Sequence, residues 1–203
     1  MKERGMIFNA EMVRAILDGR KTQTRRPVKF PLIDKNMGCE LAGNELAGEL
    51  AAHNYWNSPY GKPGDRIWVR ETLRVHSRAT DVATLVYRAS VRNSWTEQTH
   101  RVPIAVCDKP ATPEKWTPSI HMPRWASRIL LEITDVRVER LRDLSEEDAK
   151  SEGITPPAGG VLPGWEYRIN FRDLWMDIYG TDSWEANPWV WVIEFKRVEG
   201  AAL

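Results

Sequence analysis

The chain has 203 residues, 42% hydrophobic and 28% charged, which is enough for one well-filled core and short of two comfortable ones. Its formal net charge of +1 excludes the global basic excess of a duplex-binding domain, because phosphate neutralisation supplies most of that affinity. There is no bilayer-length apolar run and no signal-peptide h-region, and two distant cysteines and four scattered histidines offer no metal-ligand spacing. The expectation is a cytoplasmic protein with no metal, no cofactor and no membrane partner; the sequence leaves its oligomeric state open, with a monomer favoured.

"NAEMVRAILDG" reads as a short amphipathic helix with Asn9 as its cap, Glu11 at the positive end of the dipole and Gly19 as a left-handed stop. Residues 29–62 keep no clean period and read as a long insertion or lid. "KPGDRIWVRET" is a turn and then a strand, with Ile67 and Val69 on one face and Trp68 on the other. "TLVYRA" is another strand. A second insertion spans about 90–127. "ASRILLEITDVRVERL" is one long strand with Thr134-Asp135 as its bend. "LSEEDAKSEGI" is a helix with a Ser145–Asp148 capping box and Gly153 as its stop. "WEYRINFRDLWMDIYG" is a longer helix. "PWVWVIEFKRV" is apolar on both faces and reads as a central strand. Mixed elements without βαβ alternation or a Gly-rich phosphate loop indicate one α+β domain, 1–203, around a curved sheet or barrel with flanking helices.

Chemistry concentrates in "ILDGRKTQTRRP", where Arg20, Lys21, Arg25 and Arg26 surround Thr22 and Thr24. A threonine hydroxyl is a nucleophile only when a base takes its proton, and a lysine is such a base when burial or nearby cations depress its pKa. Lys21 and Thr24 are three apart, so on a regular strand they face opposite ways and must meet through a turn or bulge after Gly19. The competing reading is a solvated basic turn. Glu152 ends a helix at the negative pole of its dipole, a local conflict unless a cation meets it; otherwise it is a solvent-exposed glutamate beside Glu146 and Glu147. Glu71 either enters a cleft or pairs with Arg70 or Arg74 on the surface. His121, Arg124 and Trp125 lie between prolines, where the aromatic either stacks a base or plugs the structure.

In order, "ILDGRKTQTRRP", "GDRIWVRET", "LSEEDAKSEGI" and "WVWVIEFKRV" resemble the ASCH superfamily, whose domain is a PUA-like β-barrel, and its larger, phage-associated members in particular. The same order occurs in the small bacterial N4-acetylcytidine amidohydrolases. The resemblance implies hydrolysis of the exocyclic amide of N4-acylated cytidines to cytidine and a carboxylate. It implies Lys21, Thr24 and Glu152 as the catalytic group. Chemistry then suggests Thr24 as nucleophile, Lys21 as its base, and Glu152 holding Lys21 or protonating the leaving amine. Arg26, two residues after the threonine, is placed at the oxyanion. Phe8, Trp68 and Trp125 are the aromatics for stacking the base, and Glu71 is the cleft carboxylate. Pro27 departs from the minimal enzymes, which are acidic there. The alternatives are a non-catalytic RNA-binding PUA-like module and an ASCH-type ribonuclease, both with RNA as partner and with the cations after Gly19 on phosphates.

Overall fold

The computed structural model describes residues 1–90, 99–156, 164 and 166–198. Among these the elements run β1 Glu3–Ile7, α1 Ala10–Leu17, β2 Gln23–Pro27, α2 Gly43–Ala51, β3 Arg66–Arg70, β4 Leu73–Arg78, β5 Val82–Tyr87, β6 Thr99–Pro103, β7 Leu130–Arg140, α3 Glu146–Ser151, α4 Glu166–Tyr179 and β8 Trp189–Arg197, with short 3₁₀ turns between them. The class is α+β. The chain divides into two compact units, one of residues 1–18, 66–132 and 197–203, the other of 19–65 and 133–196.

In the first unit β1 lies parallel to β3, in register from Glu3 opposite Arg66 to Ile7 opposite Arg70. The start of β7 runs antiparallel to β3, with Leu131 opposite Ile67. Ile67 and Val69 are buried and Trp68 is half-buried, as the alternation requires. Gly5 lies beneath the Trp68 indole, and a Cβ there would come within 2.6 Å of the ring. β4, β5 and β6 form an antiparallel meander with a register shift between Val75 and Ser77. Its inner face supplies Leu73, Val75, Ala83, Leu85, Tyr87 and Val102 to a core closed by Cys107, Met122 and Ala126. Each large apolar side chain buried this way contributes about 1.5–3 kcal/mol. β6 falls within the expected second insertion, so that stretch adds a strand to this sheet; residues 91–98 of it lie outside the described residues. α1 starts where the Asn9 side chain accepts the Met12 N–H at 2.8 Å, and it buries Val13, Ala15 and Ile16.

In the second unit β8 lies between β7 and β2. β2 is antiparallel to β8, from Gln23 opposite Glu194 to Pro27 opposite Val190. Val190, Trp191, Val192, Ile193 and Phe195 are all buried, which confirms the central strand inferred from its two apolar faces. Along β7 Leu130 is buried, then Leu131 and Ile133, then Val136 and Val138. The parity changes across Thr134-Asp135, where the sequence placed a bend.

α3 and α4 cover Leu141, Leu144, Val190 and Val192 with Ala149, Phe171 and Trp175. The long helix is described from Glu166 onward, and Trp165 of the expected segment is outside the described residues. Residues 29–62 carry α2, which buries Leu46 and Leu50 and sets Gly43 against the Trp189 indole of β8. Tyr60 meets Trp191 edge-on at 5.9 Å. No helix among the described residues is long and apolar enough to cross a membrane.

Candidate active site

Lys21 lies just before β2 and is joined to Glu152 by an antiparallel bridge. The Thr22 N–H donates to the Ser151 carbonyl at 2.8 Å, and the Phe195 N–H donates to the Thr22 carbonyl. The segment after Gly19 is thus held on both sides by backbone bonds. Gly19 itself has φ +74°, the left-handed conformation that a glycine adopts without strain. Lys21 Nζ donates to Glu152 Oε2 at 2.7 Å and to the Glu152 carbonyl at 2.9 Å. Both side chains are shielded from solvent, at 0% and 4% exposure.

The solvated basic turn and the exposed glutamate are therefore corrected. Lys21 answers the helix-dipole conflict that Glu152 posed, because its ammonium sits on the last carbonyl of α3 and on the carboxylate beside it. Burial pushes the Lys21 ammonium below its ordinary value of 10.5; Glu152 opposes that shift, while Arg26 and Arg25 add to it. Glu152 takes two of the Nζ donor positions, so the third is left as a hydrogen to donate in the ammonium, or as the lone pair of the neutral amine.

The carboxylate has a second cation. Arg25 Nη1 donates to Glu152 Oε1 at 3.3 Å, and its Nη2 donates to Glu139 Oε1 at 2.5 Å and lies 3.5 Å from Asp148 Oδ2. The Gln23 amide donates to Asp148 Oδ1 at 3.1 Å. Arg137 extends the network to Asp148, Glu139, Asp135 and Glu194. Lys21, Gln23 and Arg25 alternate by two and all reach the acids on α3 and its end. Sequence reasoning missed Arg25, Glu139 and Asp148 here; the period of two in Lys21-x-Gln23-x-Arg25 was the available signal.

Thr24 is 2% exposed and sits opposite Ile193 in the ladder. Strand alternation sends its side chain to the face opposite Gln23 and Arg25, the face it shares with Arg26, Ile193 and Trp191. The Tyr60 phenol, which burial raises and Arg26 pulls partly back down, belongs to the same surroundings. The structure brings Lys21 and Glu152 into contact, and it puts Thr24 and Arg26 on the adjoining strand with their side chains directed the other way.

The remaining candidates, Phe8, Trp68, Glu71 and Trp125, lie in the first unit. Glu71 is 2% exposed, and Arg128 grips both its oxygens, Nε at 2.8 Å and Nη2 at 3.0 Å. Its surface pairing with Arg70 or Arg74 is therefore corrected. Arg128 in turn lies 4.1 Å over the Tyr87 ring. Trp125 packs against the core around Leu73 and Tyr87. The Arg70 guanidinium lies over Trp68 at 5.3 Å. Among the described residues no group of three His, Cys, Asp or Glu side chains could hold a metal ion.

No protein-family model matches the sequence, and no curated protein is similar to it. The crystal structure of an ASCH domain from Lactobacillus crispatus JV V101 aligns with a TM-score of 0.37 and 14% identity, covering 97% of this chain and 79% of that one. A likeness of that degree leaves fold family and activity to be argued from this chain's own residues.

Proposed function

We propose that the chain is an ASCH-type, PUA-like amidohydrolase that cleaves the exocyclic amide of N4-acylated cytidines. One observation carries the reading. Lys21 and Glu152, 131 positions apart and the pair that the sequence resemblance selects, meet at 2.7 Å out of solvent. A lysine whose pKa is lowered by burial gains a neutral form that can accept a proton, and the Glu152 carboxylate then stabilises the ammonium that results. In this reading Lys21 takes the proton of the attacking hydroxyl and returns it to N4 as the C–N bond breaks; where that hydroxyl is Thr24's, a water then cleaves the acyl ester and releases the carboxylate. Thr24 as the attacking group rests on the resemblance alone, since its side chain and that of Lys21 leave the strand on different faces.

Incubating the protein with N4-acetylcytidine and separating the products tests this directly. Cytidine and acetate should accumulate with the native chain and not with Lys21→Ala. A folded native protein that releases no cytidine sinks the proposal.

The placement of Thr24 favours a second reading, a non-catalytic RNA-binding module in which Lys21, Arg25 and Glu152 satisfy one another as a structural network. RNA affinity falling steeply with salt, with Thr24→Ala silent, would select it.

A further inference from the structure

Within the first unit a cavity of about 310 Å³ opens between the end of β1, the first turn of α1, the turn after β3 and the 3₁₀ turn at Ser119. Its lining divides by chemistry. Ile7, Phe8, Ala10 and Ala89 are its apolar residues, Glu71 its carboxylate, and Asn9, Thr72, Arg88 and Ser119 its other polar residues. The volume falls at the small end of the range for organic ligands, about 300–1,000 Å³.

Two features set this cavity apart from a packing gap. The Glu71 carboxylate is fixed in direction, because Arg128 closes one side of it and the Tyr87 ring backs Arg128. The Glu71 N–H is held in turn by the Met122 sulfur. A carboxylate held this way keeps its outer lone pairs for a donor. Arg88 is exposed and forms no ion pair or side-chain hydrogen bond among the described residues. An exposed arginine in a lining that also holds Thr72, Ser119 and the first residues of α1 suits a phosphate. The first unit is also the basic one, with fifteen Lys and Arg against ten Asp and Glu, a net +5 inside a chain of net +1.

We propose that this cavity binds a nucleoside monophosphate whose base carries an exocyclic amine, with the amine on Glu71, the base against Phe8 and the phosphate on Arg88, Thr72 and Ser119. The site stands independently of whether Lys21 is catalytic. A base with an amine gives Glu71 a hydrogen to accept. Uracil offers only an N–H flanked by two carbonyls, which the carboxylate repels.

Isothermal titration of the full chain with cytidine 5′-monophosphate, uridine 5′-monophosphate, cytidine and inorganic phosphate tests it. Cytidine monophosphate should bind roughly tenfold or more tighter than cytidine, and tighter than uridine monophosphate, as charge-assisted bonds on Arg88 and Glu71 imply. Arg88→Ala, at an exposed position, should keep the fold by circular dichroism and bring cytidine monophosphate to the affinity of cytidine. Glu71→Gln should erase the preference over uridine monophosphate; Arg128→Lys, which keeps the charge and loses the fork, is the variant to use if it does not fold, and should weaken the same preference. No saturable binding of cytidine monophosphate, equal affinity for inorganic phosphate, or an Arg88→Ala protein that binds as the native one does would each overturn the proposal.

Discussion

Lys21, just before β2, and Arg25, within it, hold the two oxygens of a single carboxylate, Oε2 and Oε1 of Glu152. Two cations with one buried anion between them make Glu152 the group on which the local charge balance turns. Glu152→Gln should cost about 3–5 kcal/mol, because it leaves the buried Lys21 ammonium without its counter-ion and takes from Arg25 one of the three carboxylates around it. Adding Lys21→Met should restore part of the loss, so the double variant costs at least about 1 kcal/mol less than the sum of the single ones. Urea unfolding of the four proteins measures this. Strict additivity would show the two residues to be energetically independent.

Activity should separate the catalytic from the structural role of the strand. If Lys21 moves the proton, Lys21→Ala should lower kcat by roughly a thousandfold. Lys21→Arg should be no better, since a guanidinium stays protonated. Thr24→Ser should keep measurable turnover on N4-acetylcytidine and Thr24→Ala should lose it. A folded Thr24→Ala protein with normal turnover ends the nucleophile assignment, which is the outcome its opposite-face placement would explain.

Asp148 gives an acid-stability prediction. Burial alone would raise its carboxyl, but hydrogen bonds from Ser145 and Gln23 and the charge of Arg25 outweigh that and hold it below its ordinary 3.8. Between its folded pKa and 3.8 the unfolded chain binds more protons, so stability rises with pH through that window. The contribution is complete above 3.8 and is lost as pH falls through the folded value. Asp148→Asn should lower Tm near neutrality and flatten its fall between about pH 5 and pH 2. A fall parallel to that of the native chain would remove Asp148 from the account.

Gly43→Ala tests how firmly α2 is seated. Alanine is favoured over glycine in a helix by about 1 kcal/mol, yet its Cβ would lie 2.2 Å from Trp189 Nε1 and 2.4 Å from Cδ1. Overpacking costs about 1–3 kcal/mol, so the clash should win. Removing the indole with Trp189→Ala should turn the same glycine substitution neutral or stabilising. Thermal melts of the single and double variants read the sign.

The sequence was most readable where periodicity and capping were local. The Asn9 cap, the Ser145–Asp148 box and the two-faced burial of β8 each depend on neighbours a few residues away. β1, β2, β4 and β6 have no counterpart among the strands expected from the sequence, and the segment of β2 reads there as a turn or bulge after Gly19. "ERGMI" and "THRVP" are short strands whose burial patterns hold a single buried residue each, so they lack an alternation to detect. At the site, Lys21 and Glu152 were singled out by resemblance and by a dipole conflict, but their contact spans most of the chain and has no local signature. Arg25 was read as one more cation near Lys21, because its acids Glu139 and Asp148 lie more than a hundred positions away. For Glu71 the sequence leaves a cleft and a pairing with Arg70 or Arg74 both open, because its partner Arg128 comes from a distant loop.

The two ends of α3 have different origins. Ser145 and Asp148 finish the first turn from within the segment, while the last carbonyls are taken by Thr22 N–H on Ser151, Lys21 Nζ on Glu152 and Arg20 Nη1 on Gly153. Six residues are too few to hold a helix in water alone. During synthesis, then, residues 20–22 leave the ribosome well over a hundred residues before the carbonyls they serve, and the basic segment must wait without its partner. Closing so long a loop makes this a late step of folding, after the local helix start has formed. A nascent chain stalled before Ser145 would therefore expose Lys21 and Arg25 to any acidic surface nearby, a window in which this stretch is open to the wrong contacts.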